Sequence, residues 1–182
     1  MWSGIMLTIN KLTKTQEIAL IGILAAVNIS SRIFLQFLPN IKPVTSIIII
    51  SVLMFDLSFG VKLAVVTTLI SNMFLGMGTW TFFQILAWVV ICLLTELIKE
   101  GFHKVNKEPP VLFMAIFAFL AGFIFGFVVS LDHLIVGGPI YFLTYYLSGL
   151  SFDFLHASGN LFFYLACFPV MKKIFTKEIK AL

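Results

Sequence analysis

The stretch TFFQILAWVVICLLTELI, residues Thr81–Ile98, is an apolar run long enough to cross a lipid bilayer as an α-helix. The rest of the chain has the same character: 60% of its 182 residues are hydrophobic, 11% are charged, and the mean hydropathy is +1.09. A soluble domain of this size cannot bury so much apolar surface, whereas lipid can cover it. The sequence therefore predicts an all-α integral membrane protein, with one domain over residues 1–182.

Six apolar runs recur along the chain and predict six transmembrane helices. Their approximate bounds are Ile18–Leu38, Val44–Leu57, Gly60–Leu75, Thr81–Ile98, Val111–Leu131 and Phe152–Met171. A further run, residues 140–150 (IYFLTYYLSGL), is too short to cross comfortably, so it is interpreted as part of an outer loop or as an interfacial helix. Residues 1–14 lack a small-residue cleavage site, so the first span is expected to serve as the insertion signal. Cys92 and Cys167 fall within the runs and are interpreted as small hydrophobic residues rather than as a disulfide or metal site.

The distribution of lysine predicts the orientation of these spans. With six spans, ten lysines fall on one side of the membrane, and only Arg32 and Lys42 lie toward the other. The ten are Lys11, Lys14, Lys62, Lys99, Lys104, Lys107, Lys172, Lys173, Lys177 and Lys180. The positive-inside rule then places both termini in the cytoplasm. A seventh span at residues 140–150 would put the four C-terminal lysines outside, which argues against it.

Polar side chains form stripes in the outer halves of four predicted spans, at spacings of three or four residues that place them on one helix face. The stripes are Asn28, Arg32 and Gln36; Thr68 and Asn72; Trp80, Gln84 and Trp88, with Thr81 beside them; and Asp153, His156, Asn160 and Tyr164. A central charge facing lipid costs about 2.5–3.5 kcal/mol, so the stripes should face one another or water. They predict either contacts that hold the helices together or a pocket open to the outside, and their coincidence in one half of the membrane favours the pocket.

The three connections on the same side contain glycine and proline residues typical of shaped turns. They are Leu38–Thr45, Gly76–Thr79 and Leu131–Tyr141. They are interpreted either as a lid over the pocket or as ordinary short connections.

Catalytic motifs are not evident in the sequence. It contains neither a G-x-x-x-x-G-K-[ST] phosphate loop nor an H-E-x-x-H metal motif. Asp132, His133, Asp153 and His156 could hold a metal at the outer surface, as in a small intramembrane metal-dependent enzyme, but they match no defined spacing. We instead expect Asp153 to act as a counter-ion or a hydrogen-bond acceptor, with Arg32 as the expected partner, and we expect a protein that is not an enzyme and holds no metal.

Two stretches resemble a known family, the substrate-binding S components of energy-coupling factor transporters, and the similarity covers nearly the whole chain. Residues 71–88, SNMFLGMGTWTFFQILAW, resemble the pattern S-N-x-x-x-G-x-G-P-W-T-x-x-Q-x-x-x-W of a subgroup similar to cobalamin-specific S components, with Thr79 in place of the proline. Pro39–Thr45, PNIKPVT, resembles the same subgroup. A small-residue face on the first span resembles the alanine-rich A-x-x-x-A surface by which S components dock onto a coupling subunit. Its members are Ala19, Gly22, Ala25 and Ala26.

The resemblance implies a bacterial cytoplasmic-membrane protein that captures cobalamin outside the cell. It implies docking on a transmembrane coupling subunit with two ATPases, toppling in the membrane, and no cofactor beyond the transported ligand. The implied substrate-binding residues are Arg32, Asn40, Asn72, Trp80, Thr81, Gln84, Trp88, Tyr145, Asp153, His156 and Asn160. Trp80 and Trp88 would cover the macrocycle while Asn72, Gln84 and Asn160 bond its amides.

Several details stay open at this point. Trp80 could instead anchor the protein at the membrane interface. His133 or His156 could coordinate cobalt. The ligand could be another vitamin, such as riboflavin.

Overall fold

The computed structural model describes residues 12–180, with side chains as far as residue 175. This part of the chain folds into five helical elements and contains no strand, which confirms the all-α prediction for it. The elements are α1 (Lys14–Phe34), α2 (Val44–Met54), α3 (Leu57–Leu75), α4 (Thr79–Lys104) and α5 (Val111–Lys180). Residues 1–11 lie outside the described residues. They include Lys11 and most of the segment interpreted as an uncleaved N-terminus. The side chains of Lys177 and Lys180 also lie outside the described part.

Four of these helices, α1, α3, α4 and α5, are long and apolar enough to cross a membrane, and α2 is a shorter apolar helix. Many of their outward-facing side chains are large and hydrophobic: Ile18 is 70% exposed and Phe162 is 65% exposed. Water would make such surfaces costly, whereas lipid would cover them. The fold is therefore consistent with a multi-pass membrane protein.

The final element, α5, turns back on itself at Gly138. This residue has φ 78° and ψ −175°, a left-handed backbone conformation that glycine adopts without steric cost. The first arm, residues 111–137, and the second arm, residues 139–180, run antiparallel and pack together: the rings of Phe127 and Tyr146 lie 5.5 Å apart.

The turn at Gly138 corrects the predicted loop over Leu131–Tyr141 and the interpretation of residues 140–150 as part of an outer loop. Both stretches are helical on either side of this one residue, and residues 140–150 form the first turns of the second arm. Hydropathy indicates which residues can cross the lipid, but it does not indicate where a helix ends. The two arms continue as helices because they pack against each other.

The two arms of α5 approach most closely at Gly122. A Cβ atom at this position would lie 2.5 Å from the backbone nitrogen and 2.6 Å from the Cα of Ala157. We expect Gly122→Ala to lower the free energy of unfolding by about 1–3 kcal/mol, because backbone atoms must move to admit the methyl group. Gly149→Ala is the matched control, since a Cβ atom at Gly149 would meet no other atom within 4 Å. Equal melting temperatures for the two variants would contradict this close approach.

Helix ends differ from the predicted spans by a few residues. The first span ends at Phe34 rather than at Leu38, and the fourth continues to Lys104. The third begins at Leu57 rather than Gly60, because Asp56 caps the helix by accepting a hydrogen bond from the Phe59 N–H at 2.7 Å. Apolar content does not reveal such ends, because they depend on hydrogen bonds to the backbone.

The helix directions bring residues 35–43, residues 76–78 and Gly138 to one end of the bundle, here called the pocket end. Residues 55–56 and 105–110 lie at the opposite end. Ion pairs at the opposite end join Lys62 to Glu17 at 2.7 Å and Lys172 to Glu108 at 2.8 Å. The described cations therefore divide between the two ends as the sequence predicts, with Arg32 and Lys42 at the pocket end.

The second predicted span is a half-length helix enclosed by the others. Its 11 residues are about 16 Å long, roughly half of a bilayer's hydrocarbon thickness. Every residue from Val44 to Phe55 is buried. This position explains why VTSIIIISVLM has no polar face, since a helix surrounded by protein needs none.

Both ends of α2 are buried. At the C-terminal end, the buried Lys99 ammonium group donates hydrogen bonds of 3.0 Å to the carbonyl oxygens of Val52 and Phe55. At the N-terminal end, Pro43 provides no side-chain cap. The candidate site lies between the N-terminal end of α2 and the pocket end of the bundle.

Candidate functional site

A cavity of about 300 Å³ opens at the pocket end, next to the first residue of α2. The half-length helix forms its base, and residues 35–43 run beside it. The residues that line it combine charged, amide and aromatic side chains: Arg32, Gln36, Asn40, Lys42, Val44, Leu75, Gln84, Trp88, Phe125 and His156. Such a mixture of apolar walls and a few convergent polar groups is typical of small-molecule sites.

Arg32 is the central polar residue of the cavity and is only 8% exposed. Its guanidinium donates to the Ser71 hydroxyl, to Asn72 Oδ1 at 3.0 Å and to Gln84 Oε1 at 3.4 Å. The polar faces of α1, α3 and α4 therefore meet, as predicted. All three acceptors are neutral, so they orient the guanidinium without balancing its charge.

The motif that begins at Ser71 forms the support behind Arg32. The Asn72 side-chain amide donates to Thr81 Oγ1 at 2.9 Å and to Gln84 Oε1 at 2.8 Å, which ties the end of α3 to the start of α4. The Thr81 hydroxyl also accepts the Gly78 N–H at 3.3 Å, inside the first turn of α4. The spacing of the motif is therefore that of two helices joined by a short turn, with polar residues that converge on one cation.

Thr79, the departure from the family pattern, is the first residue of α4. Proline is favoured at this position because the N–H there has no helical partner, so the family pattern also fits this geometry. Threonine adds a contact that proline cannot make: its hydroxyl donates to Asp132 Oδ2 at 3.0 Å. The Thr79 hydroxyl therefore links α4 to the first arm of α5.

One wall of the cavity is aromatic. The Thr45 hydroxyl joins two of these rings, accepting from Trp88 Nε1 at 3.1 Å and lying 3.1 Å from His156 Nε2. The Phe125 ring lies 4.8 Å from the Trp88 ring and 5.0 Å from the His156 ring. The Arg32 guanidinium lies 5.4 Å from the centroid of the Trp88 ring. The cavity thus offers an apolar surface beside a fixed positive charge.

Lys42 brings a second cation to the cavity from the loop of residues 35–43. Its ammonium group donates to the Leu38 carbonyl oxygen at 3.3 Å. Burial, followed by repulsion from Arg32, lowers the pKa of Lys42 below its ordinary value. The two cations therefore act on each other within one small space.

Five of the predicted substrate-binding residues line the cavity: Arg32, Asn40, Gln84, Trp88 and His156. Asn72 and Thr81 stand behind Arg32 and hold it in place. Asn160 is fully buried one turn deeper than His156, and neither polar atom of its side chain has a protein partner.

The remaining predicted residues lie away from the cavity. Trp80 is 44% exposed and Tyr145 is 45% exposed, with Tyr145 stacked on His133 at 3.5 Å. The Asp153 carboxylate packs against Gly126, between the two arms of α5. Trp80 and Asp153 belong to two of the predicted stripes, and both stripes extend beyond the cavity, whereas Tyr145 belongs to none of them.

The expected ion pair between Arg32 and Asp153 does not form. None of the ion pairs in the described part of the chain involves either residue. Asp153 points between the arms of α5, whereas Arg32 is held on the other side by α3 and α4. The proposed metal cluster of Asp132, His133, Asp153 and His156 is not assembled either, since no three metal-binding side chains come together among the described residues.

The predicted substrate-binding set left out five residues that line the cavity, together with Thr45 beside it. The five are Gln36, Lys42, Val44, Leu75 and Phe125. Gln36 belongs to the stripe of Arg32, and Lys42 is one of only two cations on its side, so both carried a signal. Thr45 and Phe125 lie in apolar surroundings that could not distinguish them from packing residues.

The small-residue face of α1 divides into an exposed and a buried part. Ala19, Gly22 and Ala26 are exposed, and no atom lies within 4 Å of a Cβ placed on Gly22. Ala25 is 2% exposed and packs in the core, so it cannot belong to a docking surface as predicted. The exposed three residues are here called the α1 small-residue surface.

Comparisons with protein-family models, curated proteins and solved structures found no match. The class that the fold and site define is an all-helical protein, consistent with several membrane crossings, with a polar and aromatic cavity at one end. The family resemblance rests on the sequence motifs.

Proposed function

We propose that this protein is the solute-binding subunit of a vitamin importer, of the S component type, in a bacterial cytoplasmic membrane. In this proposal, α1 to α4 and the two arms of α5 make six spans, and both termini are cytoplasmic. The pocket end then faces outside, where the cavity captures its solute. The expected solute is cobalamin, as the resemblance of residues 71–88 implies.

The observation that carries this proposal is a polar cavity at one end of the bundle, next to the start of a helix that is fully buried. Within α2, Ile47–Ile50 pack against the neighbouring helices. In this proposal the protein binds its solute in the cavity and does not conduct it by itself. Delivery across the membrane therefore requires a partner, here a transmembrane coupling subunit with two ATPases, against which the whole bundle would topple.

The α1 small-residue surface is the proposed docking face for that coupling subunit, because small residues let helices approach closely within lipid. We expect Gly22→Leu and Ala26→Leu each to reduce coupled uptake at least about tenfold, because a bulky side chain separates the two helices. Both side chains face away from the bundle, so folding and solute binding should persist. Uptake by vesicles containing all the subunits, measured beside binding by the isolated protein, separates these effects.

The control for this prediction is Ala166→Leu, an equal increase in size at an exposed position on the second arm of α5. Uptake at the wild-type rate by the α1 variants would place the docking face elsewhere.

Binding of radiolabelled cobalamin to the purified protein in lipid nanodiscs tests the proposed substrate. Saturable binding, alone or with the coupling module, would support it. No detectable binding under either condition would exclude cobalamin.

A smaller vitamin, such as riboflavin, is the second candidate, and the size of the cavity favours it. About 300 Å³ is at the lower end of the range for drug-sized ligands, and a corrinoid is much larger than such ligands. Cobalamin would need residues 35–43 to move outward, whereas a single aromatic ring system fits beside Trp88. Competition between labelled cobalamin and unlabelled riboflavin distinguishes the two.

A further inference from the structure

The cavity contains two cationic side chains, Arg32 and Lys42, and no acidic residue among those that line it. The hydrogen-bond acceptors of both are neutral: a hydroxyl, two amide oxygens and a backbone carbonyl. Within the described residues, no carboxylate lies within ion-pair distance of either cation. Buried charges in proteins are ordinarily paired, so this cavity has a positive charge excess that its own side chains do not balance.

The backbone of α2 adds to the same positive field. The first N–H groups of a helix have no helical partner, and Pro43 offers no side chain to accept from them. Val44, the first residue of α2, lines the cavity. The positive end of the helix dipole therefore lies at the cavity floor, in an apolar setting where charges interact strongly.

We infer that the cavity contains a subsite for an anionic oxygen group, a carboxylate or a phosphate, bound by Arg32 and Lys42 beside the start of α2. This inference rests on the proposed function, since it assigns a chemical class to the solute of that same cavity. Three neutral partners hold the Arg32 guanidinium in place and take three of its five N–H groups, which leaves two for an anion, and Lys42 supplies a point charge from the loop. The aromatic wall of Trp88, Phe125 and His156 takes the apolar part of the solute.

Two kinds of solute could supply this anionic group. A corrinoid with its nucleotide loop has a phosphodiester, and a smaller vitamin would supply the group only if it has a free carboxylate or phosphate, which riboflavin lacks. In either case the anion neutralises the pair of cations, which removes their mutual repulsion and the cost of burying them. A neutral analogue of the same shape would gain only the aromatic contacts.

Matched probes test the subsite on the full-length protein in nanodiscs. Benzoate and benzamide have nearly the same shape and differ in charge, and inorganic phosphate tests the anion alone. We expect benzoate, phosphate or both to bind, and benzoate to bind at least about tenfold more tightly than benzamide. Isothermal titration at constant ionic strength measures each affinity. Equal affinity for benzoate and benzamide, or no binding of either anion, would overturn the inference.

Substitution of Lys42 separates a built subsite from general attraction to a basic protein. We expect Lys42→Gln to weaken benzoate binding about tenfold, because glutamine retains a donor for the Leu38 carbonyl oxygen but lacks the charge. Lys107→Gln removes one exposed charge at the opposite end of the bundle and should leave the affinity unchanged. Equal losses in the two variants would contradict a specific role for Lys42.

A comparison of cobalamin with cobinamide, which lacks the nucleotide loop and its phosphodiester, distinguishes this inference from the proposed function. Cobalamin binding that Lys42→Gln weakens and cobinamide binding that it leaves unchanged would support the subsite with a corrinoid source. Benzoate binding without corrinoid binding would support the subsite and exclude the corrinoid. Equal binding of both corrinoids by wild type and Lys42→Gln would support the importer and overturn the subsite.

Discussion

Replacing Arg32 by methionine is expected to weaken binding of an anionic solute about 100-fold or more, while the ligand-free protein keeps its stability within about 1 kcal/mol. The first effect follows from the loss of two charge-assisted hydrogen bonds to the anion. The stability is expected to change little because Arg32 is a buried cation with only neutral partners, and burying its charge already destabilises the wild-type protein. Methionine keeps the apolar stem beside Trp88 and removes the charge.

In Arg32→Met, the groups that accept hydrogen bonds from Arg32 have other hydrogen-bond partners. Gln84 Oε1 still accepts from the Asn72 amide, and the Ser71 hydroxyl still donates to the Thr67 carbonyl oxygen at 2.6 Å. Asn72 Oδ1 can accept from water that enters the cavity. The lost contacts therefore cost less than removal of a partner from a dry core would.

Titration with benzoate and chemical unfolding of the same preparation measure both halves of this prediction. Arg32→Lys is the matched variant, because it keeps the charge without the planar fork, and its affinity should fall between those of wild type and Arg32→Met. Wild-type affinity in Arg32→Met would contradict a role for this residue in binding. A large loss of stability with unchanged affinity would make Arg32 a packing residue only.

Replacing Lys99 by methionine is expected to lower the free energy of unfolding by about 2–4 kcal/mol. Lys99 is 1% exposed, and its ammonium group donates to the carbonyl oxygens of Val52 and Phe55 at the end of α2. Both residues that carry these oxygens are buried. Methionine fills the space of the lysine stem but leaves both carbonyls without a donor.

The pair of Lys99 with Glu96, at 3.3 Å, does not substitute for these bonds, because the carboxylate is itself an acceptor. Lys104→Met makes the same chemical change at an exposed position of the same helix, and its effect should stay within about 0.5 kcal/mol. Reversible unfolding in mixed micelles compares the two. Equal stability of both variants would mean that the α2 carbonyls do not depend on Lys99.

Most of the helical architecture could be predicted from composition and periodicity. Apolar runs located α1, α3 and α4 to within a few residues, and the spacing of Arg32, Asn72 and Gln84 predicted that their helices meet through polar faces. The sequence of α2, VTSIIIISVLM, has no charged residue and only three polar side chains, the hydroxyls of Thr45, Ser46 and Ser51. Its complete enclosure could not be inferred, because a helix buried in protein and a helix exposed to lipid need the same side chains.

The candidate site was predicted only in part, for a related physical reason. Helical spacing places residues on a face but does not say how deep a cavity runs along it, so Trp80 and Asp153 were included although they lie outside. Lys42 and Thr45 were not included, because a loop conformation and the start of a buried helix bring them to the site. The partner of Arg32 could not be predicted either. The sequence allowed Asp153 to lie near Arg32, but the reversal at Gly138 places Asp153 between the arms of α5.

The sequence by itself determined that the chain is all-helical and apolar enough for lipid, that its cations divide between two ends, and that four polar stripes share one of those ends. These properties follow from local periodicity and composition, which act within single helices. Only the tertiary structure decided that α2 is a half-length helix at the centre of the bundle, with Lys99 at one end and a cationic cavity at the other. This feature depends on contacts between residues more than forty positions apart, such as Lys99 with Val52 and Arg32 with Gln84, which no pattern within a single helix encodes.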